Sequence, residues 1–143
     1  MSTDQTRLIC TPDTFRPQPC DGLRWWEVGD WALVAAAHEH LGGQRPWTPS
    51  EWQNLYAQGY RYCALVPDGR ALAWGGLWPR SNDQWEVIAV GTDPAVRNRG
   101  YGRAVVAFVT SAILAAGRTA SITTGADNAA MLRTAAAVGF STS

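Results

Sequence analysis

The residues best suited to chemistry lie between Glu86 and Arg103, in the stretch EVIAVGTDPAVRNRGYGR. Arg97, Arg99 and Arg103 carry charge that forks onto phosphate oxygens, and Gly100 and Gly102 let the backbone come close to a ligand. Val87, Ile88 and Val90 before them form a β-branched run suited to a buried strand. Thr92-Asp93-Pro94 stops that strand, because proline cannot donate to a ladder, and Arg103-Ala104-Val105-Val106 opens an apolar helix pattern. Strand, glycine-rich loop and helix start together aim unpaired N–H groups and the positive end of a helix dipole at one point. That geometry suits a phosphate or pyrophosphate. A tight turn that only caps a helix would use the same glycines.

Two common phosphate loops are excluded. A Walker loop requires Gly-Lys-Ser/Thr, and all 12 basic residues of this chain are arginine. A dinucleotide fingerprint requires a glycine where Val105 stands and an acidic residue near Ala120, where Thr119 and Ser121 are the neighbours. What remains is Arg-x-x-Gly-x-Gly behind a strand and a Thr-Asp-Pro stop. This resembles the pyrophosphate loop of the GNAT superfamily of acyl-CoA N-acyltransferases, [Arg/Gln]-x-x-Gly-x-[Gly/Ala], and Arg97–Gly102 match it throughout. A second matching segment runs from Asn128 to Gly139-Phe140.

The resemblance implies acetyl-CoA as co-substrate and direct transfer of its acetyl group to a primary amine. It places the acyl carbonyl at backbone N–H groups of Val90, Gly91 and Thr92. It places the pyrophosphate on Arg97, Asn98, Arg99, Gly100, Tyr101, Gly102 and Arg103, chiefly on their main-chain amides, and the pantetheine arm at Asn128, a residue that equally suits a helix cap. Glu86 resembles the strand glutamate that serves as general base in the histone-acetyltransferase branch. A carboxylate drawn partly out of water accepts a proton more readily near neutral pH, whereas on a plainly alternating strand it would face solvent. The tyrosine that donates a proton to the leaving thiolate in many relatives is replaced by Ala135, with Thr134 the nearest hydroxyl. The nucleophile would be the substrate amine, so Cys63 need not form a covalent intermediate.

The elements expected to position these residues follow from local signals. Residues 1–22 read as an extended or poorly ordered N-terminal arm with at most a short strand at Arg7–Cys10, and residues 23–143 as the GNAT-like domain. Leu23–Val28 reads as a strand, then Trp31–Leu41 as a helix capped by Asp30 and ended by Gly42-Gly43. Thr48-Pro49-Ser50-Glu51 is a capping-box start for a helix to about Gln58. Tyr60–Val66 and Arg70–Trp78 form a hairpin, and Trp85–Thr92 is the next strand. A helix over about Gly100–Ala116 crosses to Thr119–Thr124, which should lie parallel to Trp85–Thr92. The last helix starts at Asp127-Asn128 and ends at Val138. The sum is an α/β fold, a mixed central sheet flanked by helices. It lacks the two strands that usually follow the last helix, since only Ser141-Thr142-Ser143 remain. The edge so exposed would be covered by the N-terminal arm or by a second protomer in a homodimer.

The chain of 143 residues carries a formal net charge of zero, which supplies no electrostatic case for a nucleic-acid or membrane partner. No signal peptide or membrane-length apolar run is visible, so the expected location is cytoplasmic. Cys10, Cys20 and Cys63 read as reduced thiols, and His38 and His40 point to different helix faces, so no metal site is expected. Trp25, Trp26, Trp31, Trp47 and Trp52 either pack a core or line an acceptor site, and Trp74, Trp78 and Trp85 suit core and cross-strand pairs. The acceptor would be a small-molecule or protein amine. The other function class compatible with Ala135 is a non-catalytic acetyl-CoA-binding module, regulatory or interaction-based.

Overall fold

The computed structural model describes residues 4–41 and 46–142, and a single mixed sheet organises them. Its strands are β1 (Gln5–Cys10), β2 (Leu23–Trp25), β3 (Arg61–Leu65), β4 (Ala73–Trp78), β5 (Gln84–Thr92), β6 (Thr119–Gly125) and β7 (Ser141–Thr142). They lie in the order β2-β3-β4-β5-β6-β1-β7. β5 and β6 are parallel, joined by a crossover helix as expected; the other adjacent pairs are antiparallel. The helices are α1 (Trp31–Leu41), α2 (Pro49–Ala57), α3 (Tyr101–Ala115) and α4 (Ala129–Val138). This is the α/β class expected, and every helix appears within a residue or two of its sequence bounds.

The sheet is covered on both faces. On one, Val105, Val106, Val109 and Ile113 of α3 and Val138 of α4 pack against Cys63, Leu77, Val87 and Ile122. On the other, α1 and α2 set Val34, Ala37 and Trp52 against Trp26, Tyr62, Ala64 and Trp74. The tryptophans therefore divide: Trp26, Trp47, Trp52 and Trp74 form an aromatic cluster under the helix pair, while Trp25 packs on Phe108 of α3. Two adjacent glycines of β4 make both layers possible. A Cβ on Gly75 would meet Val105 Cγ1 at 2.4 Å, and one on Gly76 would meet the Tyr62 ring at 2.6 Å.

The capping box of α2 forms as written in the sequence: Thr48 Oγ1 accepts from the Glu51 N–H, and Glu51 Oε1 accepts from the Thr48 N–H. Asp30 does not cap α1 with its side chain. Its carboxylate accepts instead from the N–H of Glu27 (2.7 Å), which tightens the turn before the helix. The expected stop at Gly42-Gly43 lies outside the described residues.

The far edge departs most from expectation. The strand expected at Arg7–Cys10 begins at Gln5 and pairs with all of β6 but Thr119, from Gln5↔Gly125 to Cys10↔Ala120. The N-terminal arm is thus the element that covers the β6 edge. Ser141–Thr142 is not a bare tail but a two-residue strand on the outer side of β1. Residues that follow β1 then close over the end of α4. The Arg16 N–H donates to Val138 O (2.8 Å), and Gln18 Nε2 donates to Ala137 O (3.2 Å), satisfying carbonyls that a helix end leaves orphaned. Gly139 (φ +106°) is required there, because a Cβ would stand 2.1 Å from Thr14 O.

Candidate active site: a cleft where two parallel strands part

The β5–β6 ladder covers only Gln84↔Thr119, Trp85↔Ala120 and Glu86↔Ser121. Beyond Glu86 the two strands diverge, and the side of β5 that faced β6 has no partner strand. The cause lies one strand over. Between β4 and β5 the register passes from Trp74↔Gly91 to Gly76↔Ile88, so β5 carries one extra residue. Ala89, at φ 59°, holds the left-handed backbone of that bulge. A bulge bends and twists its strand, here turning the end of β5 away from β6. Val87, Ile88, Ala89 and Val90 line one wall of the resulting slot, and Ile122, Thr123 and Thr124 the other, with Met131 of α4 above.

The slot opens into a cleft of about 760 Å³. Its walls are Val90, Gly91 and Thr92 from β5, Arg97, Asn98, Gly100, Tyr101, Gly102 and Arg103 from the loop and the start of α3, and Asn128 with Met131, Arg133 and Thr134 from α4 and its N-cap. After Asp93 the chain makes a 3-10 turn at Pro94–Val96, with Asp93 Oδ1 accepting from the Ala95 N–H. Asn98 (φ 65°) and Gly100 (φ 82°) then take left-handed backbone, and Gly100 starts α3 without a side-chain cap. The N–H groups of Tyr101, Gly102 and Arg103 consequently have no acceptor among the described residues and point out of the helix end. A Cβ on Gly102 would meet nothing nearer than Thr92 Oγ1 at 3.7 Å, so this glycine is not required by packing.

Ten of the eleven residues expected to hold a coenzyme line this one cleft: Val90, Gly91, Thr92, Arg97, Asn98, Gly100, Tyr101, Gly102, Arg103 and Asn128. Arg99 alone points elsewhere, into a neighbouring hollow of about 360 Å³ between the α3 start and Gln18–Asp21. Its place in the sequence motif does not fix its side-chain direction, because left-handed residues stand on both sides of it. Asn128 caps α4 through Oδ1 on the Met131 N–H, while its Nδ2 donates to Thr124 Oγ1 across the cleft mouth. Ala135 is fully buried among core residues, whereas Thr134 lines the cleft.

Glu86 sits at the fork itself, only 6% exposed. It is not a solvent-facing strand carboxylate: Oε1 accepts from Arg80 Nη1 (3.0 Å), Ser121 Oγ (3.2 Å) and Thr123 Oγ1 (2.9 Å). No described residue donates to Oε2. Arg80, Ser121 and Thr123 were not singled out from the sequence. Ser121 and Thr123 alternate on β6 as a strand requires, and only the β5–β6 register reveals that both face Glu86.

A second buried carboxylate, Asp93, marks the other end of β5. Its Oδ2 accepts from His40 Nε2 at the end of α1 (3.0 Å) and from Arg70 (2.8 Å), tying α1 and the β3–β4 turn to the start of the loop. The His40 hydrogen bond and then the Ala95 N–H hold its carboxyl down at about 2, against a smaller opposing effect of burial. His38, by contrast, is buried under Trp47 and accepts at Nδ1 from the Trp47 N–H. Burial pushes the Cys63 thiol up to about 12.

The mixed sheet therefore splits between two parallel strands, with a glycine-arginine loop and a helix start across the split. The chain belongs to the Acetyltransferase (GNAT) family, whose profile matches residues 21–140. Solved structures agree in fold. A GNAT-family protein from Novosphingobium aromaticivorans is 22% identical (TM-score 0.73), with 97% of this chain and 61% of that one covered. An acetyltransferase from the GNAT family of Colwellia psychrerythraea is 17% identical (TM-score 0.76), covering 96% and 52%. A GCN5-related N-acetyltransferase from Sphaerobacter thermophilus is 17% identical (TM-score 0.70), covering 97% and 48%. The chain thus spans about half to three fifths of the length of these structures. Comparison with curated proteins gives no match. Among the described residues no helix is long and apolar enough to cross a membrane.

Proposed function

We propose that this chain is an N-acetyltransferase that moves an acetyl group from acetyl-CoA to a primary amine by direct transfer. The observation that carries this reading is the parting of β5 from β6, which leaves unpaired strand backbone facing a slot that runs into the loop cleft. The residues present fit the co-substrate. The narrow apolar slot suits a pantetheine arm. The unpaired N–H groups at the start of α3, with Arg97 and Arg103 beside them, suit a pyrophosphate. Gly102 keeps open a space that a side chain would fill. Bound there, acetyl-CoA would supply an activated thioester.

The chain's own residues account for the rest of the step. Along Val90, Gly91 and Thr92 the backbone N–H groups alternate between β4 and the unpaired side of β5, and those on the unpaired side stabilise charge on the acyl oxygen. The amine nitrogen forms its bond to the acyl carbon as the carbon–sulfur bond breaks, and the amine must lose a proton. Glu86 takes that proton at Oε2, directly or through a water, while Arg80, Ser121 and Thr123 hold the carboxylate still through Oε1. The departing thiolate is stable enough to leave unassisted, with Thr134 the nearest hydroxyl on α4. The acceptor is a small-molecule or protein amine.

The burial of Ala135, where a proton-donating tyrosine would stand, favours a second reading: a non-catalytic acetyl-CoA-binding module. Calorimetric titration with acetyl-CoA, desulfo-CoA and ADP, followed by turnover assays of Glu86→Gln on a panel of amines, separates the two. An enzyme with this base loses turnover in the variant and keeps its CoA affinity. Tight CoA binding with no turnover of any amine by the native chain supports the module. No binding to the folded protein overturns both.

A further inference from the structure

The loop cleft holds more positive charge than its loop needs. Arg97, Arg103 and Arg133 all line it, and no aspartate or glutamate does. None of the three arginines is ion-paired with a described residue. In a chain whose formal net charge is zero, this is a local concentration of unneutralised cations facing one space. Arg97 and Arg103 flank the loop and the helix start, where the unpaired N–H groups suit the proposed diphosphate. Arg133 comes from the opposite wall. It stands on α4, five residues beyond Asn128, and forms no ion pair with a described residue.

Resting on the coenzyme reading above, we propose that Arg133 binds the 3′-phosphate of coenzyme A, so that the site selects the 3′-phosphorylated coenzyme over its dephospho form. A diphosphate carries about two negative charges, which the loop amides with Arg97 and Arg103 match. A phosphate monoester adds about −1.5 to −2 more at neutral pH. With its pantetheine arm in the slot and its diphosphate at the start of α3, the coenzyme's nucleoside end emerges between the start of α3 and α4. There the Arg133 guanidinium forks onto the third phosphate. Selectivity for the phosphorylated ribose then comes from α4, an element the loop motif does not include.

The test is calorimetric titration of the full chain with CoA and with dephospho-CoA, for the native protein, Arg133→Gln and Arg133→Lys. One charge-assisted hydrogen-bonded pair makes roughly a tenfold to hundredfold difference in affinity. The native chain should prefer CoA by that factor. Arg133→Gln should bring the ratio to within about threefold of unity while barely changing dephospho-CoA affinity, and Arg133→Lys should keep part of the preference. Glutamine is a good helix former and position 133 is exposed, so the fold should persist. Equal native affinities, or an undiminished ratio in Arg133→Gln, would overturn the assignment while leaving the coenzyme site standing. Binding of neither ligand to folded protein would refute the coenzyme site itself, and this assignment with it.

Discussion

Replacing Arg80 by methionine tests how the fork between β5 and β6 is held. Glu86 has a side chain only 8% exposed, whereas that of Arg80 is 32% exposed, so the two ends of the pair respond differently to losing the other. Without Arg80 the carboxylate stays in place with Ser121 and Thr123 still donating to Oε1 but with no countercharge. Stranding a buried charge costs about 3–5 kcal/mol where nothing else compensates. The two remaining hydroxyl donors bring the expected loss for Arg80→Met down to about 2–3 kcal/mol. In a domain of this size that lowers the melting temperature by roughly 5–10 °C. Glu86→Gln is gentler, at about 1 kcal/mol, because the amide oxygen can accept from both hydroxyls and Arg80 can turn to water. The double variant should then resemble Glu86→Gln alone, giving a coupling of about 2–3 kcal/mol, as large as the Arg80→Met loss itself. Urea unfolding of the four proteins at pH 7 yields all the terms. A loss below about 0.5 kcal/mol for Arg80→Met, or simple additivity, would show that Glu86 is not held as a buried, charge-compensated group.

Gly75→Ala forces a methyl to within 2.4 Å of Val105 Cγ1, so it should cost about 1–3 kcal/mol in urea melts, and a neutral result would mean that α3 lies less tightly on β4 than described. The Asp93 carboxyl is held at about 2, below its unfolded value of about 4, so its stabilisation is complete above pH 4 and is lost as pH falls through about 2. Asp93→Asn should flatten that part of a plot of urea midpoint against pH, and an unchanged slope between pH 4 and pH 2 would count against the His40–Asp93–Arg70 link. Gly102→Leu meets no backbone obstacle, so its melting temperature should match the native protein while CoA affinity falls at least about tenfold; intact affinity would place the coenzyme elsewhere.

What could be read from the chain beforehand was whatever is encoded locally. The α2 capping box and the order of strand, loop and helix each depend on residues a few positions apart, and each appears in the fold. Whatever depends on register was hidden. Ala89 carries the bulge with no glycine to announce it, because the strain is imposed by the pairing of β5 with β4. Arg80, Ser121 and Thr123 reach Glu86 only once β5 and β6 pair at Glu86↔Ser121. The covering of the β6 edge was legible as a need but not in detail, since one strand pattern in a polar N-terminal arm does not name its partner. Trp26, Trp47, Trp52 and Trp74 went to the aromatic cluster because burial of large rings outweighs any exposed role the same residues could fill. The site follows from the same division. The loop contributes backbone groups, which a motif can announce, while Glu86 acquires its anchored geometry from a sheet that must first close along β1, part, and bulge. The chemistry proposed for Glu86 therefore depends less on the motif beside it than on the three donors that the split brings to one of its oxygens.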